Sequence, residues 1–323
     1  MDTSGISHAA DASCDPARRR AGGALRPGVV AVVLLAVGCH HVERADIVAR
    51  PPPRVAHELY RIGPAGASLA PEGALDDAMR EARVIYVGEA HDDPDDHAVE
   101  AELLARVYSL DPSVGLGLEM LPTTAQGTLD DFVAGRIDEA TFLARVDWAH
   151  TWGFPWRFYR PLLAFCREHH LPAFALNAPP SLAHAVAKSG IAGLDEAQRR
   201  GLPEIVPGPA AHRAQFEEAF RAHPGGRKSE SEGDARARRE RYYEAQLLWD
   251  ETMASSIAAA LGAPGAPRRL VVVVGEEHAE RFAIPQRVER RGVAPSTIVM
   301  PIHRHDWNPA KPPDADFACV LKP

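Results

Sequence analysis

The chain has 323 residues, of which 46% are hydrophobic and 25% are charged, and its formal net charge is −8. This is the composition of an ordinary globular protein, and the acidic balance argues against nucleic-acid binding. The length allows one large domain, or one domain with an elaborated insertion.

The amino-terminal segment has the order of a targeting signal. Arginine-rich residues precede a short apolar run, Val29–Val37, and Gly38-Cys39 follows directly. The run is too short to cross a bilayer as a finished helix and is typical of a signal peptide, with a buried strand as the alternative. Small residues ending in cysteine resemble a bacterial lipoprotein signal. We therefore predict a signal peptide over residues 1–38, lipid attachment at Cys39 and a tether over 39–56. The protein would then be lipid-anchored in the cell envelope, on the outer-membrane or periplasmic side.

Two stretches far apart in the chain share one pattern. Val84–His91 and Leu270–His278 each contain a β-branched run followed by Gly, Glu, any residue and His. Such a run is typical of a strand buried on both faces of a parallel sheet, and the glycine would let the chain turn where the strand ends. Ligands bind at the carboxyl edge of these sheets. The motif residues expected at that edge are Glu89, His91, Glu276 and His278.

Two further strands are predicted between these motifs in the chain. Val114–Glu119 and Pro172–Asn177 are apolar runs that end in a polar residue. Glu119 would lie at the same sheet edge as His91. Asn177 would either cap the next helix or give the site a polar group, and both readings stay open. We expect the two Gly-Glu-x-His turns to be neighbouring strand ends around one pocket, with Glu119 and Asn177 supplied by the strands between.

The alternation of strand and helix patterns predicts an α/β fold, with a mostly parallel sheet flanked by helices, over residues 57–321. In two ranges, 122–160 and 195–240, helical patterns follow one another without strands. We predict that these ranges form a helical cap sub-domain over the carboxyl edge of the sheet.

Local features of the helical regions favour structural roles. Three of the five tryptophans lie between residues 148 and 156, which is more typical of a packed corner than of a cofactor wall. Asp95 and Asp96 are expected to cap the helix that follows His91, since acidic residues stabilise a helix amino terminus.

The polar residues at the sheet edge allow three kinds of chemistry. His91, Glu119 and His278 could ligate a divalent metal ion such as Zn²⁺ or Mn²⁺, with a remaining glutamate as general base. Without a metal, a His-Glu pair could activate water directly. A histidine or tyrosine could instead bind haem iron beside an apolar wall, and Tyr159 is available for this. The chain has no Gly-x-Ser-x-Gly elbow and no Walker loop, and the three alternatives stay open.

Several motifs taken together resemble a known family. The stretch Gly88–Asp92 is similar to the opening motif of the ChaN-like haem-binding lipoproteins. These belong to a wider superfamily with the erythromycin esterases and the TIKI-type metalloproteases. Ala283 stands where the family usually has glycine. The further matching motifs are Leu118–Met120, Asn177–Pro179, Ala245–Ala254, and Gly275–His278 with Ala283–Pro285.

The resemblance implies a sheet domain with a helical cap, in an envelope lipoprotein that binds haem for iron uptake or storage. It also implies paired haems at a homodimer interface with tyrosine and histidine ligands. Tyr159 and His278 are the candidate ligands here, with Asn177 at the same cofactor site. Hydrolases of the wider superfamily use the equivalents of His91, Glu119 and His278 around a metal or a water. The alternative is therefore an esterase-like or peptidase-like hydrolase, with the catalytic residues Glu89, His91, Glu119, Glu276 and His278.

Overall fold

The computed structural model describes residues 55–222 and 231–322. The predicted signal peptide over 1–38, the lipid attachment site at Cys39 and nearly all of the tether lie outside the described residues. Within the two described ranges, none of the helices combines the length and the apolar character that crossing a bilayer requires.

One eight-stranded sheet lies at the centre of the described chain. Its strands are β1 (His57–Gly63), β2 (Gly66–Leu69), β3 (Val84–Glu89), β4 (Val114–Pro122), β5 (Ala173–Asn177), β6 (Arg269–Gly275), β7 (Ser296–His303) and β8 (Phe317–Leu321). They are arranged in the order β2-β1-β8-β7-β3-β6-β4-β5. From β8 to β5 all neighbouring strands run parallel, whereas β1 pairs antiparallel with β2 and β8. The predicted α/β fold with a mostly parallel sheet is therefore confirmed.

Helices connect the strands and cover the sheet. They are α1 (Glu72–Glu81), α2 (Pro94–Leu110), α3 (Gln126–Val133), α4 (Glu139–Val146), α5 (Trp148–Thr151), α6 (Trp156–Glu168), α7 (Pro180–Ser189), α8 (Glu196–Arg199), α9 (Ala210–Ala222), α10 (Glu232–Gly262), α11 (Glu276–Ala279) and α12 (Ile284–Arg290). Two single turns of 3₁₀ helix lie at Thr123–Ala125 and Ile191–Gly193.

The central strands are buried on both faces. Ile85 and Val87 share an apolar cluster with Leu104 of α2, whereas Val84 of the same strand shares another cluster with Ile257 of α10. Every residue of β3, β4 and β6 is buried as a result. Successive side chains of a strand point to opposite faces, so helices on both faces require a continuous apolar run rather than an alternating one. This is why the strands could be located from the sequence.

The predicted cap ranges are helical in the structure. The range 122–160 contains α3, α4, α5 and the start of α6, and the described part of 195–240 contains α8, α9 and the start of α10. Phe132 and Phe142 of the first range belong to the same apolar cluster as Ile85 of the sheet. The division into a domain and a cap sub-domain stays a prediction.

The order of the strands differs from our expectation in one respect. β3 and β6, which carry the two Gly-Glu-x-His motifs, are direct neighbours, and Glu89 lies opposite Gly275 in their ladder. The prediction of neighbouring strand ends is thus confirmed, but no strand lies between them. β4 is on the far side of β6, and β5 is beyond β4. β3 and β4 are consecutive strands in the chain, but β6 lies between them in the sheet.

Candidate functional site

The two Gly-Glu-x-His motifs meet at the carboxyl edge of β3 and β6. His91 lies in the turn between β3 and α2, and His278 lies in the short helix α11 that begins directly after β6. Glu119 comes from β4, the other neighbour of β6. Because parallel strands end at the same edge, three chain segments far apart in sequence place their polar residues close together at one edge of the sheet.

His91 is held by a buried carboxylate. Its Nδ1 atom lies 2.7 Å from Glu89 Oε1, and the Tyr159 hydroxyl donates to the same oxygen over 2.7 Å. Burial acts to raise the pKa of Glu89, but its hydrogen bonds and the nearby histidines lower it to about 2. An ionised Glu89 accepts the Nδ1 proton of His91, so the neutral ring carries its lone pair on Nε2. The side chain of His91 is 24% exposed.

Aromatic rings form one wall beside His91. The ring of Trp152 meets the imidazole edge-on with centroids 4.7 Å apart, and the Phe154 ring lies 5.0 Å away. Trp148 is buried, and its indole N–H donates to the Phe154 carbonyl over 2.8 Å. The tryptophan cluster is thus a packed corner, as predicted, and one of its members, Trp152, also contacts His91.

His278 has the same arrangement on the other side of the pocket. Its Nδ1 atom lies 2.6 Å from Oδ1 of Asp250, a fully buried residue of α10. The second oxygen of Asp250 is 2.7 Å from Nε2 of His212. The Nε2 atom of His278 faces Glu119 Oε1 at 3.5 Å. Both site histidines therefore have Nδ1 fixed by a buried carboxylate and Nε2 on the opposite side of the ring from it.

Glu119 also completes the sheet. The last residues that β4 pairs with β6 are Leu118 and Val273. Beyond that point, Glu119 Oε2 accepts a hydrogen bond of 2.7 Å from the backbone N–H of Gly275. The carboxylate takes the place of a backbone acceptor where the ladder ends, so one side chain both faces the pocket and joins two strands.

Gly275 provides space rather than a turn. Its φ of −55° and ψ of 146° are open to any residue, which corrects the expectation that glycine is needed for the chain to turn. A Cβ atom at this position would lie 2.8 Å from Cε1 and 3.2 Å from Nε2 of His91. The missing side chain therefore allows the His91 ring to lie against the end of β6.

A comparison with protein families identifies the group to which the chain belongs. The family model described as "Haem-binding uptake, Tiki superfamily, ChaN" matches residues 75–288. The chain belongs to this family. The family resemblance seen in the sequence is confirmed.

Individual relatives are more distant. A ChaN protein of Campylobacter jejuni, whose structure is titled for cofacial haem binding, has a TM-score of 0.63 at 16% identity and covers 82% of this chain and 98% of its own. A mutant erythromycin esterase, EreC, has a TM-score of 0.44 at 12% identity, over 78% of this chain and 78% of its own. RETICULATA-RELATED 5, a chloroplastic protein of Arabidopsis thaliana, is 27% identical over 241 residues. That alignment covers 69% of this chain and 31% of the relative, so the chain spans about a third of the relative's length.

In this ChaN-family chain, the other residues predicted for the site are Tyr159, Asn177 and Glu276, and each has a different environment. Tyr159 is 1% exposed, with its hydroxyl bonded to Glu89, and burial raises its pKa well above the usual range. Asn177 lies at the end of β5, and its side chain accepts from the Ala178 N–H over 2.8 Å. The N-cap of α7 is Pro179, so Asn177 is not the cap. Glu276 is exposed at the start of α11.

The capping prediction for α2 was correct in placing Asp95 and Asp96 in its first turn, but neither of them is the N-cap. Asp93 is the N-cap, and its side chain accepts from the backbone N–H groups of Asp95 and Asp96. Asp96 is buried and accepts from the Ala90 N–H over 2.9 Å. Asp93, Asp95 and Asp96 are all aspartates, so residue type alone did not show which one caps the helix.

Sequence reasoning missed the residues behind His278. Asp250 was noted only within a family motif, and His212 was not singled out. A signal for Asp250 was present, because it shares one face of α10 with Met253, Ala254 and Ile257, which are all buried. A carboxylate on an apolar helix face requires a partner. His212 lies in α9, and no local pattern connects it to Asp250.

Metal ligands are not all gathered where we predicted them. Among the described residues, two groups bring three ligand atoms within 4.8 Å of one another, and His91, Glu119 and His278 are not one of them. The metal site at those three residues stays a prediction. The two groups that do meet are Glu89, His97 and Glu100, and Asp93, Asp95 and His303.

The charge of His278 gives the ChaN-family fold a measurable pH dependence. Burial acts to lower the pKa of His278, but Glu119 and Asp250 raise it to about 9 from 6.5. A raised pKa stabilises the fold fully below pH 6.5, and this contribution is lost as the pH rises through 9. We expect the free energy of unfolding to fall by on the order of 3 kcal/mol across that interval. Urea unfolding at several pH values would measure it, and an equal loss in His278→Gln would contradict the assignment.

Proposed function

We propose that the chain binds haem through His91, at the carboxyl edge of the sheet, in iron uptake or storage. The observation that carries this proposal is the state of the His91 ring. It is partly exposed, its Nδ1 is fixed by buried Glu89, and the missing side chain of Gly275 lets the ring lie against the end of β6. Haem, when bound, supplies an iron that needs an axial ligand, and imidazole is a common one.

The surroundings of His91 fit a haem group. A histidine that binds a metal usually donates its other ring N–H to a carboxylate, which fixes the tautomer, as Glu89 does here. Trp152 and Phe154 offer an apolar wall for a flat macrocycle. The carboxylates of Glu89 and Glu119 raise the pKa of His91 against the effect of burial, and the same charges favour a cationic iron at its Nε2.

The family resemblance implies Tyr159 and His278 as ligands, but their contacts favour iron binding less than those of His91 do. A tyrosine binds ferric iron as the phenolate, but the Tyr159 hydroxyl donates to Glu89 and burial opposes its ionisation. His278 is almost fully buried and its Nε2 faces Glu119. The three residues therefore give distinct expected outcomes in one set of variants.

The test is a haem titration of the full-length protein, followed in the Soret band. We expect a sharpened and shifted band in the wild type, and an affinity at least tenfold lower in His91→Ala, since the axial ligand is lost. His150→Ala is the matched control, because this exposed histidine lies in α5 near the same loop and its partner is Asp147. Its affinity should equal that of the wild type.

Two outcomes would contradict the proposal. A free-haem spectrum with the wild-type protein would mean that the chain does not bind haem. A loss of binding in Tyr159→Phe with full binding in His91→Ala would place the ligand at Tyr159 instead. His278→Ala separates the third candidate in the same way.

A hydrolase in the same pocket is the second candidate function. It is favoured by the connection of His278 to Asp250 on one nitrogen and its approach to Glu119 on the other, since a histidine oriented by a carboxylate is common in hydrolases. The raised pKa of His278 keeps it protonated at neutral pH, which suits a general acid rather than a base. Ester or peptide hydrolysis that Glu119→Gln abolishes would support this function, and the absence of turnover would exclude it for the substrates tested.

The cellular setting is part of the proposal. Lipid attachment at Cys39 would hold the protein in the cell envelope, on the outer-membrane or periplasmic side, where haem iron would be captured. A homodimer would bring two haem sites together. Mass spectrometry of the amino-terminal peptide tests the lipid, with Cys39→Ser as control, and size-exclusion chromatography with and without haem tests the dimer.

A further inference from the structure

A cluster of buried ionisable residues lies directly behind His91. We propose that Glu89, His97 and Glu100 bind a divalent transition-metal ion there, beneath the candidate haem pocket. Nδ1 of His97 lies 3.0 Å from Glu100 Oε2 and 3.4 Å from Glu89 Oε2. Ligands about 2.1 Å from an ion lie about 3.0 Å apart in octahedral and about 3.4 Å apart in tetrahedral arrangements. The cluster therefore has the dimensions of a coordination shell.

The backbone fixes the tautomer of His97. Its Nε2 atom lies 3.1 Å from the carbonyl oxygen of His91, which can only accept, so Nε2 carries a proton. In the neutral ring the lone pair is then on Nδ1, directed at the carboxyl oxygens of Glu89 and Glu100. A lone pair facing two carboxylates is repulsive unless a cation or a proton lies between them. The site is thus built to enclose a positive charge.

The carboxyl oxygens of the cluster lack sufficient partners. Glu89 and Glu100 have fully buried side chains whose carboxyl groups approach each other. Within the described parts of the chain, no donor is paired with Oε2 of Glu89, Oε1 of Glu100 or Oδ1 of the neighbouring Asp96. Unpartnered buried carboxylate oxygens are costly, and coordination to a metal ion would satisfy them.

Three carboxyl groups in one buried cluster also need compensating charge. Burial raises the pKa of Glu100 well above its usual range and that of Asp96 to about 8, and repulsion by Glu89 adds to both. These groups would hold protons when no cation is present. A divalent ion bound by Glu89, His97 and Glu100 would displace the proton of Glu100, and its two positive charges would offset those of the two glutamates.

The ligands indicate the class of ion. One imidazole nitrogen with carboxylate oxygens suits Mn²⁺, Fe²⁺ or Zn²⁺, whereas Ca²⁺ and Mg²⁺ prefer oxygen ligands alone. The His97 ring is stacked on Phe158 at 4.6 Å and meets Tyr159 edge-on at 4.8 Å. These rings cover the cluster, so an ion would enter during folding and exchange slowly afterwards.

Elemental analysis of the full-length protein, produced with added Mn²⁺ and Zn²⁺ and dialysed against chelator, tests this proposal. We expect about one ion per chain, retained after dialysis because the rings cover the site. Glu100→Gln keeps the shape of the side chain and removes one anionic ligand, and it should lower the metal content at least tenfold. Asp93→Asn is the matched control, because it disrupts the second candidate metal cluster and leaves the helix N-cap in place.

The measured metal content shows whether the cluster of Glu89, His97 and Glu100 binds a metal ion or holds protons instead. Equal metal in Glu100→Gln, or a loss of metal in Asp93→Asn, would overturn the proposal. A wild-type protein that holds no metal, and gains none when refolded with Mn²⁺ or Zn²⁺, would show that the cluster binds protons only. Circular dichroism confirms that the variants are folded. Metal content is measured without haem, so this inference and the proposed haem function can fail independently.

Discussion

Replacing Gly275 with alanine is expected to lower haem affinity at least tenfold while the protein remains folded. The new Cβ would lie 2.8 Å from Cε1 of His91, a distance that atoms in proteins do not sustain, so the imidazole must move. The backbone angles of Gly275 are open to alanine, and the strain therefore falls on the His91 side chain rather than on the sheet. A tenfold loss corresponds to about 1.4 kcal/mol of binding free energy.

The measurement is a haem titration of Gly275→Ala beside its control, Gly127→Ala. Gly127 lies in α3, and apart from its chain neighbours and its own helix backbone, no atom of the described residues lies within 4 Å of a Cβ at that position. The control should bind haem as the wild type does. Wild-type affinity in Gly275→Ala would mean that haem does not approach His91, and the proposed site would then be wrong.

The largest effect on stability is expected from Asp250→Asn. The side chain of Asp250 is fully buried, bonded to His278 and His212, and approached by Arg287 at 3.6 Å. Hydrogen bonds and the charges of these groups hold its pKa far below the usual range, in spite of burial. Removing this anion weakens the charge compensation of buried His278 and Arg287, which keep Glu119 at 3.5 Å and Glu251 at 3.3 Å, so the expected cost is about 3 kcal/mol.

Urea unfolding at pH 7 would measure this loss as a lower transition midpoint. Glu232→Gln is the control, because this exposed glutamate lies in the first turn of the same helix, and it should shift the free energy of unfolding by less than about 0.5 kcal/mol. Asp250→Asn should also weaken the fall in stability between pH 6.5 and 9, since the pKa of His278 depends on Asp250. A stability equal to that of the wild type would contradict the role given to Asp250.

Those parts of the fold that depend on a local sequence pattern could be predicted. The apolar runs before Gly88 and Gly275 identified β3 and β6, because strands covered by helices on both faces must be apolar throughout. The same reasoning placed Glu89, His91 and His278 at one sheet edge. The spatial order of parallel strands is decided by which helices pack together, so the sequence did not show that β3 and β6 pair directly, with β4 and β5 to one side of them.

The rest of the site depends on contacts between distant segments. His212 and Asp250 are 38 residues apart, and no pattern in either helix specifies their pairing. The function of Gly275 could not be predicted either, since the ring that occupies its empty space comes from a turn after another strand. The buried position of Asp96 follows from its bond to Ala90, six residues earlier, rather than from its type.

The double role of Glu119 has a consequence for how the family evolves. Its carboxylate faces His278 with one oxygen and joins β4 to β6 through Gly275 with the other. Selection for a closed sheet edge is then sufficient to keep an acidic residue at this position, whatever chemistry the pocket performs. Descendants with a new ligand or a lost activity would inherit Glu119 unchanged.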